Sequence, residues 1–270
     1  MFEKVKCHQC NHEYDEALDQ CPKCNADNES LDSNFKDIQM VHWGKQIALF
    51  LTGFAGLFIL QEIISLILIK TGLVDRNSGL ATIILNAVIY GILFVALFLI
   101  LFKDTKKILK SFAKWEPYVA GVVAVSAILL FGVLYNMLLV QCGVKIEPNK
   151  NQDGVNKITA SYTAVSIIIF GIFGPICEEL TYRVGLFSFS KRISKWLAYP
   201  VSILVFAFIH FDFKATNMTN ELLNLPYYIF AGFALTFTYD KFGFAGAATA
   251  HILNNMISFI PMQILIGAIH

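Results

Sequence analysis

From Ile47 onward the chain is a succession of apolar runs parted by short polar stretches, whereas the 42 residues before Trp43 contain no such run. Runs of about 20 residues suit a helix crossing a bilayer. They fall at roughly 46–69, 80–102, 118–140, 158–187, 196–213, 222–239 and 244–268. The fifth and sixth are short, and Gly171, Gly174 and Pro175 interrupt the long fourth, where a broken helix or a hidden eighth segment is expected. The pattern predicts an all-α polytopic membrane protein of about seven to eight transmembrane helices, preceded by a small polar domain.

Composition agrees, with 56% hydrophobic and 15% charged residues and a mean hydropathy of +0.58. The formal charge of +1 changes the picture only when divided. Residues 1–42 carry 4 Lys against 9 Asp and Glu, and the remainder carries 17 basic against 11 acidic residues. An acidic head thus precedes a weakly basic hydrophobic body. That balance excludes a basic nucleic-acid-binding surface, and the size excludes a secreted disulfide scaffold.

Lysine and arginine set the orientation. With the N-terminus inside, fourteen fall on the cytoplasmic side: Lys4, Lys6, Lys23, Lys36, Lys45, Lys103, Lys106, Lys107, Lys110, Lys114, Lys191, Arg192, Lys195 and Lys241. Six fall opposite: Lys70, Arg76, Lys145, Lys150, Lys157 and Lys214. Trp43, Trp115 and Trp196 all sit at predicted cytoplasmic span ends, as an interfacial belt requires. Met1–Lys6 is followed by polar sequence rather than an apolar run, so the head is expected in the cytoplasm of a multi-pass protein of the cell membrane.

Four of the six cysteines lie in that head, as Cys7-His8-Gln9-Cys10 and Cys21-Pro22-Lys23-Cys24. Two such knuckles bring four thiolates around one tetrahedral Zn²⁺, and four Cys close the coordination sphere, which points to a structural metal. His8 and His12 are substitute ligands and a redox dithiol is the competing reading. The segment is too small to bury a core, so the metal supplies most of its folding free energy. It resembles the short N-terminal zinc ribbons of bacterial membrane proteins. The expected domains are a ribbon at 1–28, a polar linker at 29–45, N-terminal transmembrane helices at 46–154 and a core at 155–270.

Ionisable side chains inside hydrocarbon are costly and mark functional sites. The body offers Glu62, Glu178, Glu179, Arg183, His210 and His251, with Asn255 one turn beyond His251. At about 1.5 Å per residue, Glu178 lies about 20 Å above Lys191, His210 about 22 Å above Lys195, and His251 about 15 Å and Asn255 about 21 Å above Lys241. Four polar groups from three helices share a layer, expected to open to the cytoplasm, whereas Glu62 lies nearer the far face and is left out. Glu179 and Arg183, spaced i, i+4, form an ion pair, which leaves Glu178 free to face a cavity. A carboxylate, two imidazoles and an amide suffice for hydrolysis, the carboxylate taking a proton from water and a His with Asn stabilising an oxyanion. Cys177 and Cys142 are read as small buried or span-end thiols, Pro175 as a helix kink, and Gly243 and Gly246 as close-packing positions.

Glu178-Glu179-Leu180-Thr181-Tyr182-Arg183 is EExxxR, Phe206 to His210 is FxxxH, and His251 to Asn255 is HxxxN, in that order and each on an apolar run. Over about residues 155–270 this resembles the CPBP family of CaaX proteases and bacteriocin-processing enzymes, also called Abi, which includes the type II CaaX prenyl endopeptidases. The resemblance implies a membrane endopeptidase with Glu178 as the water-activating base and His210 as its partner. It further implies His251 and Asn255 at the oxyanion, with Glu179 and Arg183 in support. The family is often called metalloprotease; the donor set suits either ligation or direct acid–base chemistry, and the metal-free reading is the expectation here. The expected partners are the bilayer, a hydrophobic or lipidated peptide substrate and a protein recognised by the ribbon. The competing functions are a non-catalytic scaffold or bacteriocin-immunity protein and a proton-coupled transporter.

Overall fold

A computed structural model describes residues 4–15, 18, 20–26, 41–72 and 78–267, with side chains as far as residue 259. Most of the expected linker, with Lys36, and the loop residue Arg76 lie outside the described residues.

The head is built from two copies of one turn. Strands β1 (Lys4–Lys6) and β2 (Glu13–Asp15) pair antiparallel, with Val5 opposite Tyr14, and the Cys7–Cys10 turn joins them. Each knuckle ends in asparagine, and Asn11 and Asn25 both take left-handed backbone, at φ 53° and 56°. Asparagine tolerates that region better than other residues with a Cβ. It lets the Asn11 N–H donate back to the Cys7 carbonyl at 2.8 Å and the Asn25 N–H to the Cys21 carbonyl at 2.9 Å. The second turn is held to its flank by the Cys21 N–H on the Ala26 carbonyl, also 2.8 Å. Among the described residues of the head, the buried apolar cluster is Cys7, Tyr14, Cys21 and Ala26, packed with Val5 and Cys10.

The body is helical throughout: α1 (Trp43–Thr71), α2 (Gly79–Ile100), a short α3 (Thr105–Ser111), α4 (Glu116–Gln141), α5 (Lys150–Ser161), α6 (Thr163–Ile193), α7 (Lys195–Ile209) and α8 (Met218–Gly267). Four of these, α1, α2, α4 and α6, are long and apolar enough to cross a membrane by length and composition. The fifth expected span is α7, whose 15 residues reach only about 22 Å against a hydrocarbon core of about 30 Å. The sixth and seventh are the two arms of α8, which breaks at Gly243, where φ 73° and ψ −170° lie outside the range of a residue with a Cβ.

α1, α2 and α4 are peripheral: only 17%, 22% and 17% of their most apolar stretches are buried, against 44% for α6. Their exposed faces are Leu, Ile, Val and Phe, as lipid contact requires. α6 is wedged behind them by close approach to α1. A Cβ on Gly53 would lie 1.8 Å from Thr181 Oγ1, and one on Gly185 would lie 2.8 Å from the Phe50 nitrogen.

Polar contacts hold the two ends of the bundle. At the lysine-rich end, Lys191 Nζ lies 2.9 Å from Asp240, Tyr199 donates to the same carboxylate, and Arg192 donates to Gln46 and to the Val41 carbonyl. Trp43, Trp115 and Trp196 are exposed at helix starts. At the other end, the buried Glu221 accepts from the backbone N–H groups of Lys150 and Asp212, and Lys150 Nζ sits 2.7 Å from Asp212.

Candidate active site

α6 is not uniform. Residues Ile167–Phe173 and Leu180–Phe187 are π-helical, and one α-helical piece, Gly174–Glu179, is held between them. The Gly174 N–H bonds the Ile169 carbonyl five residues back, as the Ser188 N–H does with Arg183. Pro175 has no N–H to continue the ladder, so it marks the change of winding. The result sets Glu178 and Glu179 on different faces, at the middle of the most buried helix.

Glu178 faces a cavity of about 600 Å³ shared with His210, His251 and Asn255. Its Oε2 lies 3.9 Å from His210 Nε2 and 3.8 Å from His251 Nε2, and takes no protein hydrogen bond. These separations exceed direct hydrogen bonds. The second nitrogen of each ring is already committed. His210 Nδ1 meets the Phe206 carbonyl at 2.8 Å, and a carbonyl can only accept, so the Nδ1 proton is fixed there. His251 Nδ1 meets Glu179 Oε1 at 2.8 Å, and a carboxylate fixes its proton likewise. Both rings therefore turn Nε2 towards Glu178.

Glu179 and Arg183 are completely buried, with Nε 3.3 Å from Oε2. The guanidinium carbon sits 4.4 Å from the centre of the Phe206 ring, which in turn packs against both imidazoles, at 4.8 and 5.7 Å. Glu179 thus joins a cation on one side to an imidazole on the other. The i, i+4 spacing predicts the first contact; the second crosses 72 residues and has no local signal. Asn255 donates to the Phe170 carbonyl at 2.8 Å, which leaves its other N–H for the cavity.

Sequence reasoning missed the support of His210. The ring stacks on Tyr228 at 4.7 Å and 19°; Tyr228 donates to Asn149, and Asn149 donates to the His210 carbonyl. Asn149 also caps α5, accepting from the Gln152 N–H, and a Pro-Asn pair before a polar helix is the one hint of it in the sequence. Glu62 is exposed and is not in the cavity wall; its neighbour Gln61 is. Cys177 is buried, its Sγ 3.9 Å from the Tyr90 carbonyl, and does not line the cavity, while Cys142 is exposed at the end of α4.

The expected cytoplasmic-side mouth needs correction. The wall reaches Lys150, Asn151 and Gln152, at the end away from Lys191, Lys195 and Lys241. Depth counted from the lysines places His210 high, but α7 is so short that His210 is its C-cap, already at the opposite end of the bundle.

In the head, the sulfur atoms of Cys7, Cys10, Cys21 and Cys24 lie within 4.8 Å of one another, close enough to hold one metal ion. Cys7 and Cys24 are 3.4 Å apart, and Cys10 and Cys21 3.6 Å. A tetrahedral ion with about 2.3 Å bonds to sulfur fits this spacing. Burial alone would raise the Cys7 thiol; backbone N–H groups of Cys10 and Gln9, with the neighbouring thiols, bring it down, while the same crowding raises Cys10 and Cys24, so the cluster favours one thiolate over four in the absence of a cation.

Residues 160–257 match the family model of type II CAAX prenyl endopeptidase Rce1-like proteins. The matched span holds Glu178 to Asn255 and leaves out the head, α1, α2, α4 and most of α5. An uncharacterized protein of Mycoplasma capricolum subsp. capricolum is 27% identical over 168 residues, which is 59% of this chain and 46% of that protein. The aligned part thus spans about half the length of that relative. No solved structure matches the chain. With its apolar helices, the match indicates a multi-pass membrane protein in which residues 160–257 are similar to a CAAX protease family.

Proposed function

We propose that the protein is an intramembrane endopeptidase of the CPBP type, in which Glu178 activates water for attack on a peptide bond. The carrying observation is the Glu178 carboxylate turned towards two imidazole nitrogens whose opposite nitrogens are both committed. A water in that gap gives a proton to Glu178 as its oxygen adds to the scissile carbonyl. With a second ring proton taken up at Nε2 from solvent before the attack, His251 donates to the resulting oxyanion, its positive charge facing Glu179, and the free N–H of Asn255 adds a second donor. Glu178 then passes its proton to the departing amine as the C–N bond breaks. His210, held by Phe206, Tyr228 and Asn149, orients the water. Arg183 keeps Glu179 ionised and acts through it.

A carboxylate with two imidazole nitrogens is also a donor set that divalent ions accept. Glu178, His210 and His251 would hold such an ion, and it would supply Lewis-acid polarisation of the carbonyl. The roles above belong to the chain's own groups.

By the lysine bias, the end at which α1 begins is cytoplasmic, and the cavity then opens towards the outer half of the bilayer. Hydrophobic leader, signal or pheromone peptides presented there are the substrate class that fits. The head is read as a cytoplasmic Zn²⁺ ribbon at 1–28 that recognises a protein partner, followed by a linker at 29–45, N-terminal helices at 46–154 and a protease core at 155–270.

The test compares the peptides of wild-type and Glu178→Ala cells. Peptides that accumulate uncut in the variant, and that purified wild-type protein cleaves while Glu178→Gln does not, are the expected result. Full cleavage by Glu178→Gln would sink the mechanism.

A further inference from the structure

The two ends of the bundle treat their lysines differently. At the end where the cavity opens, Lys145, Lys150 and Lys157 each face a carboxylate of their own, on Glu147, Asp212 and Asp153. At the lysine-rich end, Asp104 is shared by Lys45 and Lys107, and Asp240 by Lys191 and Lys195. That end therefore keeps an excess of positive charge, and much of it is concentrated in one place. Residues 102–115, which join α2 to α4, hold five lysines and a single acid, Asp104.

The connector is apolar on its outside as well as its inside. It leaves one apolar helix at Ile100 and enters the next at Glu116, which sets it at the hydrocarbon boundary. Leu101 and Ile108 are buried in the core beneath it, and the Phe112 ring meets Phe244 of α8 edge-on at 5.9 Å. This packing decides which face points outward. Lys103, Lys106 and Lys110, spaced three and four apart, are exposed along one side. Phe102, Leu109 and Trp115 are exposed beside them, by 74%, 64% and 69%.

Neither water nor hydrocarbon alone suits that surface. Three large apolar side chains gain nothing from facing water, and ammonium groups are costly in hydrocarbon. The headgroup layer accepts both, with the rings and Leu109 at the acyl boundary and the lysine stems reaching out to phosphates. The sign of the charge then selects among headgroups. A zwitterionic headgroup carries its own cation beside the phosphate. A net anionic one leaves the phosphate to be met by lysine, which gains about fivefold in affinity per ammonium near the surface.

We infer that the α2–α4 connector is a binding site for anionic phospholipid, with Lys103, Lys106 and Lys110 on the phosphate and Phe102, Leu109 and Trp115 against the acyl chains. The site lies at the end of the bundle away from Lys150 and the cavity mouth, and it stands whether or not the protein is a peptidase.

The test uses a reporter already in the site. The chain has three tryptophans, so full-length Trp43→Phe/Trp196→Phe protein reports Trp115 alone. It is reconstituted into vesicles of equal parts phosphatidylcholine and phosphatidylglycerol, one or the other brominated near the headgroup end of its chains. Quenching of Trp115 is read at low salt and at about 1 M salt, where charge attraction is screened within about 3 Å. Phosphatidylglycerol is expected to be preferred at Trp115 by at least about fivefold at low salt, and the preference to vanish at high salt. Adding Lys103→Gln, Lys106→Gln and Lys110→Gln together should abolish the preference while leaving quenching by phosphatidylcholine in place, and the three Lys→Arg changes should keep it. Soluble glycerol phosphate in excess should not remove it. Equal quenching by the two lipids at low salt, no quenching by either, a preference that survives high salt or the three Gln changes, or its removal by glycerol phosphate would each overturn the inference. The salt comparison uses one protein throughout, so misfolding of a lysine variant cannot decide the matter.

Discussion

The head and the body each gather a few polar groups around a point, by opposite means. In the head, four sulfurs converge within a segment whose buried cluster, among the described residues, is two of those cysteines, a tyrosine and an alanine. In the body, Glu178, His210 and His251 converge because α6, α7 and α8 are packed against one another, and the groups are oriented through Glu179, Arg183, Phe206 and Tyr228. On the reading of the head as a metal site, the first arrangement needs a bound ion; the second is held ready by the fold. This difference predicts that removing metal and removing packing partners will damage different parts of the molecule.

The largest effect is expected in the head. Structural Zn²⁺ contributes on the order of 10–16 kcal/mol of apparent binding free energy in peptides of this kind. Chelation, or Cys21→Ser, should therefore unfold residues 4–26, read as loss of amide protection in hydrogen exchange, while α6 to α8 keep theirs. Loss of protection around Glu178 on chelation would break the comparison and show that the body too depends on metal.

Next come the charged groups of the body. Glu178→Gln should lower kcat by about 10²–10⁴ and leave both the metal content of the head and the thermal midpoint of the body close to wild type. Arg183→Leu should act first on stability: it leaves Glu179 buried without its cation, a loss of about 3–5 kcal/mol. Differential scanning of the detergent-solubilised protein reads it as a lowered midpoint. A variant as stable as wild type would mean that Glu179 is buried protonated and that the pair is not ionic.

How much of this the sequence displays depends on how local each interaction is. The CxxC knuckles, the Glu179–Arg183 spacing and the three ordered motifs are short-range patterns and are legible directly. The π-helical winding of α6 is half legible, through Gly174 and Pro175, which mark where it changes but not how. The bond from His251 to Glu179 and the Asn149–Tyr228 support of His210 span 72 and 61–79 residues and depend on which helices meet. The side of the mouth was misjudged for a similar reason. Counting rise from a lysine assumes that every helix crosses fully, and the 15 residues of α7 end at His210.

The smallest expected effect sharpens the comparison most, because it asks how finely packing orients the body's site. Tyr228→Phe keeps the ring that stacks on His210 and removes only the hydroxyl that donates to Asn149. One neutral hydrogen bond contributes about 0.5–1.5 kcal/mol, so global stability should fall by no more than that. If His210 orients the attacking water, the loss appears in kcat rather than KM, since a loosened ring costs most where geometry is most demanding. Asn149→Ala removes the acceptor of that hydroxyl together with the α5 cap and the tie to the His210 carbonyl. It should lower kcat further, and the double variant should lose little beyond Asn149→Ala alone, because both act through one chain of contacts. Additive losses in kcat would instead show Tyr228 and Asn149 acting on the site independently, and the packing-made centre would be less unified than the metal-made one.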